Sequence, residues 1–133
     1  MMVGYSGTPL IKKLGIKEGF RLRFVGAPEN YSELLGPLPL GVEENTPENC
    51  HFIHGFYKER TDLETDLPHL MNQINRNGMI WVSWPKKASK VPTTITEDTI
   101  REIALPLGLV DVKVCAVNEI WSGLKLMIRK ELR

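Results

Sequence analysis

The six residues MIWVSW at positions 79–84 constrain the fold most, because they form an almost uninterrupted apolar run. A strand that is covered on one face alternates apolar and polar residues, whereas a strand that is covered on both faces is apolar throughout. The pair Asn77-Gly78 directly before the run is a typical end signal for a helix. We therefore expect 79–84 to be the central strand of a sheet with helices on both faces.

Strand-like and helix-like segments alternate along the rest of the chain. Helical spacing of apolar residues predicts a short helix before Gly15, about a turn and a half of helix at 31–36, and two longer helices later. Alternating or apolar runs predict the other strands, at 20–25, 42–45, 50–57, 112–117 and 124–129.

Two threonines predict where the two longer helices begin. Thr61 with Glu64, and Thr94 with Glu97, each fit a capping box, in which the threonine and the side chain three residues later satisfy free backbone amides. Pro68 is expected to kink the first of these helices or to mark a second start.

The order of these segments predicts an α/β fold. Strands that alternate with helices imply right-handed crossovers and a mostly parallel sheet. The short connection NEIWSG at 118–123 permits an antiparallel hairpin at the end of the chain. We predict one Rossmann-like three-layer domain over residues 1–133, in which 1–19 form an N-terminal arm with a short helix.

Composition indicates the cellular compartment and excludes some classes of partner. A formal net charge of +1 argues against a nucleic-acid or membrane partner, although a homo-oligomer stays open. The two cysteines, Cys50 and Cys115, lie in strand-like runs and predict free thiols in a reducing compartment. No transmembrane-length run or signal-peptide block is present, so we expect a cytoplasmic protein.

The loop WPKKAS, which follows the central strand, is the main candidate site. In open α/β sheets, ligands bind outside the carboxyl ends of the strands. The loop is longer than the usual two to six or so residues of such connections and leads to a helix N-terminus, which favours an anion. Lys86 and Lys87 would supply charge and Ser89 a hydrogen bond to a phosphate or carboxylate. The competing interpretation is a solvated loop, in which Trp84 only caps the core.

Two further segments extend this candidate site. Asn118 and Trp121 follow the fifth predicted strand, and we expect Asn118 to orient the ligand while Trp121 and Trp84 form an apolar wall. Ser6 and Thr8, in the YSGTP segment, could present backbone amides to an anion or simply form a turn.

Metal binding receives little support from the sequence. Cys50 and His54 lie four residues apart and could share a face of their strand, whereas His51 would point to the other face. A zinc site needs at least three protein ligands, and the pattern is more typical of a core thiol with hydrogen-bonded histidines. We therefore predict no metal site.

A nucleotide-type cofactor is the alternative ligand. The first strand is followed by VGAPEN, where only Gly26 lets a ligand approach the backbone, instead of a glycine-rich G-x-G-x-x-G turn. Glu43 and Glu44 lie near the end of the next predicted strand, where dinucleotide-binding folds place a ribose-binding carboxylate. Because the glycines of such a turn are missing, a solvated acidic edge is the simpler explanation of the two glutamates.

Four stretches of the chain carry a resemblance to a known family. YSGTPLIKKLGIK, LLGPLP, WPKKASKVPT with ITED, and GLVDVKVCAVNEIWSGLK together resemble a bacterial family of small proteins described only as a domain of unknown function. More remotely, the closing strand–helix–strand–strand order looks like the second half of an S-adenosylmethionine-dependent methyltransferase. In those enzymes a glycine-rich loop after the first strand holds the cofactor, and here VGAPEN stands in its place.

These patterns lead to three functional hypotheses. The first is a small cytoplasmic protein that binds an anionic small molecule at the carboxyl ends of the strands, without a cofactor and in a non-catalytic or regulatory role. The second is a divergent methyltransferase-like enzyme that uses S-adenosylmethionine. The third is a protein-interaction module that uses the same face.

Overall fold

The structure, a computed structural model, describes residues 8–133. They form one five-stranded sheet whose strands are arranged in the order β1-β2-β3-β5-β4. The strands are β1 (Leu22–Val25), β2 (Cys50–Phe56), β3 (Ile74–Pro85), β4 (Leu109–Ala116) and β5 (Trp121–Ile128). The helices are α1 (Leu10–Leu14), α2 (Tyr31–Leu35), α3 (Arg60–Gln73) and α4 (Glu97–Leu107).

The directions of the strands confirm the predicted topology. β1 pairs with β2, and β2 with β3, in parallel. β5 lies between β3 and β4 and is antiparallel to both, so that four strands point one way and one points back. The fold is therefore α/β with a mostly parallel sheet that ends in an antiparallel hairpin.

Each face of the sheet has its own apolar core. On the first face, α3 and α4 pack against Ile53, Ile80, Val82 and the apolar side of β5. On the second face, α1 and α2 pack against Phe52, Trp81 and neighbouring residues. Residues 80–84 are buried between the two layers and Met79 is half-buried, as the sequence predicts for a central strand.

The starts of the two long helices differ from the prediction. α4 begins at Glu97 and is capped by Thr96, whose hydroxyl accepts a hydrogen bond from the Thr99 amide at 3.2 Å. Thr94 instead accepts a hydrogen bond from the amide of Arg60, the first residue of α3, at 2.6 Å. A side chain that is distant in sequence thus satisfies the start of α3, which has no cap from its own N-cap residue.

Several boundaries also move. α3 is one continuous helix through Pro68, and β3 begins at Ile74, five residues before the predicted strand. The predicted strand at 42–45 is only a single parallel bridge between Glu43 and Arg21. β4 and β5 each begin three residues earlier than predicted. For β4 the reason is that Gly108 ends α4 and leads directly into the strand.

Within residues 8–133, none of the helices has the length and apolar character needed to cross a membrane.

Candidate functional site

The ends of β1 and β2 form a switch point in the sheet. From β1 the chain passes through α2 on the second face and reaches the Glu43 bridge on the outer side of β1. From β2 it passes through α3 on the first face to β3, on the other side. Where neighbouring strands connect in opposite directions, a crevice opens at their carboxyl ends, and ligands of α/β proteins bind there.

Gly26 is the first residue after β1 at this switch point. Its φ of +67° is in the left-handed region, which favours glycine. A Cβ atom at this position would lie 3.0 Å from the carbonyl oxygen of Phe56, the last residue of β2. Glycine therefore permits both the sharp turn and the close approach of the two strand ends.

The basic loop after β3 is tied down at both of its ends. The Lys86 amide donates to the carbonyl oxygen of Ile120 at 2.7 Å, which joins the loop to the β4–β5 hairpin. Further along, the Thr93 hydroxyl at 2.6 Å and the Thr94 amide at 2.9 Å both donate to the Lys58 carbonyl oxygen at the end of β2. The loop thus runs along the carboxyl edge of the sheet from β3 back to β2.

This edge of the sheet is rich in lysines. Lys58, Lys87 and Lys90 are exposed, and Lys86 is half-buried. Within residues 8–133, no carboxylate forms an ion pair with Lys58, Lys87 or Lys90. The edge therefore carries several lysines close to the switch point, together with the exposed carboxylates of Glu29, Glu59 and Glu119.

Two of the predicted ligand-binding side chains instead shape their own loops. The Ser89 hydroxyl donates to the Lys86 carbonyl oxygen at 2.6 Å and accepts from the Val91 amide at 3.2 Å. Asn118 is buried, and its Oδ1 accepts from the amides of Ile120 and Trp121 at 2.9 and 2.8 Å. These contacts hold the lysine-rich loop and the hairpin in shape.

Trp84 and Trp121 do not form a common wall. Trp84 is paired with Ser122 and the next residue, Pro85, with Trp121, so the two indoles lie on opposite faces of the sheet. Trp84 belongs to the core of the first face and Trp121 to that of the second, and each is only 8% exposed. The expected apolar wall is therefore absent from this edge.

Acidic side chains already neutralise the positive end of the α4 helix dipole. Glu97 and Asp98 lie in its first turn, and both form ion pairs with Arg101. Carboxylates at this position interact favourably with the helix dipole. The N-terminus of α4 therefore adds little positive potential to the lysine-rich loop that precedes it.

Of the two N-terminal candidates, only Thr8 lies within the described residues. Ser6 lies outside the described residues. Thr8 is exposed and precedes α1, which packs on the second face.

A cavity of about 240 Å³ lies beside β1 on the second face. Glu44 lines it and is exposed, while Glu43 is held by its backbone, whose amide donates to the Phe20 carbonyl oxygen at 2.9 Å. The short helix α2 gives no sequence signal for such a cavity. Its lining residues are Phe24, Ser32, Leu35, Gly36, Leu38 and Glu44.

A buried hydrogen-bond network lies under the sheet on the second face. Tyr31 Oη is 2.6 Å from His54 Nδ1, and His54 Nε2 is 2.7 Å from Ser83 Oγ. Burial lowers the pKa of His54 to about 3 and raises the pKa of Tyr31 well above its usual value. The imidazole is therefore neutral, and sequence analysis missed this network because its members are far apart along the chain.

The cysteine and histidines near β2 do not converge. A register shift between Cys50 and Phe52 turns Cys50 toward the first face, where its thiol contacts Thr46, while His54 faces the second. In the part of the chain that the structure describes, no three metal-binding side chains come together. Cys50 and Cys115 are both free thiols.

Solved structures of methyltransferases share this fold. A SAM-dependent methyltransferase from Aquifex aeolicus superposes with a TM-score of 0.65 and 18% identity, covering 90% of this chain and 87% of that one. A putative type 11 methyltransferase from Sulfolobus solfataricus gives 0.62 and 13%, covering 93% and 90%. A SAM-dependent methyltransferase from Clostridium acetobutylicum gives 0.60 and 9%, covering 88% and 86%. At these identities the likeness shows the fold.

Sequence comparison identifies the family. No curated protein matches the chain. The family described as "Protein of unknown function (DUF3052)" matches residues 42–130, which include the lysine-rich loop, α4 and the β4–β5 hairpin. The chain belongs to this family, and its fold is that of the S-adenosylmethionine-dependent methyltransferases.

Proposed function

We propose that the protein binds a small anionic molecule at the carboxyl edge of its sheet and transfers no methyl group. One observation carries this proposal: the loop after β3 is fastened both to the hairpin through Lys86 and to β2 through Lys58. Four lysines are thereby held along the edge where proteins of this architecture bind ligands.

The chemistry of the edge favours binding over catalysis. Lysine ammonium groups and loop amides donate hydrogen bonds to phosphate or carboxylate oxygens. Ser89 and Asn118 are engaged in holding the loops, and neither is activated by a base. His54, the buried histidine, lies in the core with a pKa of about 3, so it does not act as a general base near neutral pH.

Ligand-induced stabilisation tests this proposal directly. A ligand at one hundred times its Kd stabilises the folded state by about 2.7 kcal/mol. We expect a phosphorylated or polycarboxylate metabolite to raise the melting temperature, and Lys86→Gln with Lys87→Gln to abolish most of the rise. Lys12→Gln with Lys130→Gln removes the same charge at exposed positions elsewhere and should leave the rise unchanged. Equal responses in the two double variants would refute the proposal.

S-adenosylmethionine is the second candidate ligand, favoured by the cavity beside β1. Glu44 lines this cavity, and a carboxylate next to the first strand is what nucleotide-binding folds use to accept hydrogen bonds from ribose hydroxyls. The cavity's 240 Å³ is smaller than the roughly 300–1,000 Å³ of pockets for drug-sized ligands, a size class that includes this cofactor.

The loop after β1 fits S-adenosylmethionine poorly. Gly26 is its only glycine, and the helix that follows has five residues. The residues present therefore suit the nucleoside part of the cofactor better than the whole molecule.

Calorimetric titration with S-adenosylmethionine separates the two candidates. Binding that is weakened about tenfold or more by Glu44→Gln, and not by Glu43→Gln, would favour this second candidate. A binding heat that is the same in Glu44→Gln as in wild type, or no binding heat in either protein, would exclude a site for S-adenosylmethionine in the cavity.

A further inference from the structure

Two lysines face each other across the β4–β5 hairpin. Lys113 of β4 is directly paired with Lys125 of β5, so both side chains project from the same face of the sheet. The Cβ atoms of such a pair lie about 4.5–5.5 Å apart, and like charges directly opposite each other are destabilising. A repulsive pair of this kind requires an explanation.

A third lysine, Lys17, contributes to the charge around the pair. Trp81, the neighbour of Lys125 on β3, donates a hydrogen bond to the carbonyl oxygen of Leu14, which lies three residues before Lys17. Burial lowers the pKa of Lys125, and the charges of Lys113 and Lys17 lower it further. Within residues 8–133, none of these three lysines forms an ion pair with a carboxylate. Residues 1–7 contain no aspartate or glutamate, so they cannot supply one.

Protection of the sheet edge explains only one of the lysines. β4 is the outermost strand, and a lysine together with a bulge is a common way to prevent an edge from pairing with another chain. Lys113 and the register shift beside it fit that role. Lys125 does not, because it lies on an inner strand, is partly buried, and shares its face with Trp121, Gly123 and Met127.

We propose that Lys17, Lys113 and Lys125 form a second anion site, which takes the phosphate group of a small molecule. Three ammonium groups suit a multiply charged oxyanion, because each can donate to a different oxygen. Lys125 lies four residues beyond Trp121 along β5, about 13 Å at 3.3 Å per residue, so this site is separate from the carboxyl edge.

The test measures the melting temperature at increasing concentrations of inorganic pyrophosphate. Pyrophosphate replaces chloride stepwise, so that the ionic strength stays constant. We expect a rise in the wild-type protein that is largely lost in Lys125→Met and in Lys113→Gln, with binding about tenfold weaker or more. Lys86→Gln with Lys87→Gln should retain this rise, which separates it from any response of the carboxyl edge. Without pyrophosphate, Lys125→Met should melt no lower than wild type, because the variant removes a partly buried, repelled charge.

Three results would overturn the proposal. The first is no rise in the melting temperature of the wild-type protein. The second is a rise in Lys125→Met and in Lys113→Gln that equals the rise in wild type. The third is a rise that only Lys86→Gln with Lys87→Gln abolishes. Because Lys113 is exposed, Lys113→Gln is expected to fold normally and keeps the test valid if Lys125→Met does not fold. Amide chemical-shift changes centred on residues 17, 113 and 125 would locate the anion independently.

Discussion

The two faces of the sheet are built in different ways. The first face carries two helices of 14 and 11 residues and a largely aliphatic core. The second carries two helices of five residues each, an aromatic core, and the Tyr31–His54–Ser83 network. The first face therefore relies on regular helix packing, and the second on specific contacts between residues far apart in sequence.

This difference shows where a methyltransferase fold of 133 residues has room for binding sites. On the first face, α3 and α4 cover the sheet continuously from β2 to β5. On the second face the helices are short, and both the cavity beside β1 and the Lys113–Lys125 pair are found there. Short helices leave parts of a sheet uncovered, and those parts remain accessible to ligands.

The largest expected effect compares neighbouring residues of β3 that point to opposite faces. Trp81 is fully buried on the second face, and its Nε1 donates to the Leu14 carbonyl oxygen at 2.9 Å. Trp81→Ala should cost about 3–5 kcal/mol of unfolding free energy through the cavity it leaves, and further because that carbonyl loses its donor. Ile80→Ala, on the first face, should cost about 2–4 kcal/mol. Urea denaturation measures both.

Trp81→Phe is the control for the hydrogen bond. It retains most of the ring and should cost about 1–3 kcal/mol, for the unpaired carbonyl and the lost volume. A smaller loss of stability in Trp81→Ala than in Ile80→Ala would contradict tight, specific packing on the second face.

The next effect concerns the buried network of the second face. His54→Leu leaves the hydroxyl groups of Tyr31 and Ser83 buried without their partner, and should cost roughly 2–4 kcal/mol. Adding Tyr31→Phe and Ser83→Ala removes both unpaired hydroxyls and should recover part of the loss, which a cycle of the variants in urea would quantify. A His54→Leu protein as stable as wild type would show that the network contributes only through packing.

The same histidine predicts a pH dependence. Unfolded His54 takes up a proton near its usual pKa of 6.5, whereas the folded protein does so only near pH 3. The unfolded state therefore binds more protons between these values, and stability falls as the pH is lowered. The expected loss from pH 6.5 to about pH 4.5 is roughly 2 kcal/mol. The pKa of His51 is also lowered, by burial and by Arg21, and adds to the loss in the same direction.

Denaturation of matched variants at several pH values checks this dependence. His69 is exposed on α3, and His69→Gln should keep the full slope between pH 6.5 and about pH 4.5. His54→Leu should lose most of it. A slope that is unchanged in His54→Leu would place its origin elsewhere.

The smallest expected effects concern the helix starts of the first face. Thr96→Ala removes the cap of α4 and should cost about 1 kcal/mol. Thr94→Ala removes the acceptor of the Arg60 amide and should cost a similar amount, but through α3. Amide exchange near each helix start distinguishes the two, and faster exchange at the start of α4 in Thr94→Ala would contradict the assignment.

Much of the first face could be predicted from sequence. The central strand at 79–84 is marked by its continuous apolar run, and α3 and α4 by apolar residues at a period of 3.6. The N-cap residues of α3 and α4 were predicted wrongly, because the residue at which a helix begins depends on the path of the loop before it. The loop after β3 is bound to Lys58, so α4 starts two residues later than its capping pattern predicts.

The candidate site stays a prediction, and the structure shows where its residues lie. The rule that ligands bind at the carboxyl ends of strands singled out the lysine-rich loop and the hairpin, and the Lys86–Ile120 hydrogen bond joins these two segments. The roles of the side chains were not predictable, since Ser89 and Asn118 satisfy nearby backbone groups. The faces of Trp84 and Trp121 depend on the register of β3 against β5.

The sequence by itself determined the order of strands and helices, the central strand, and the positive charge of the loop that follows it, because these depend on neighbouring residues. Only the tertiary structure decided which distant residues meet. It joined Tyr31 to His54 and Ser83, placed Lys113 opposite Lys125, and reduced the strand at Glu43 to one bridge. Such pairings depend on strand register and on loop closure, and neither leaves a local pattern in the sequence.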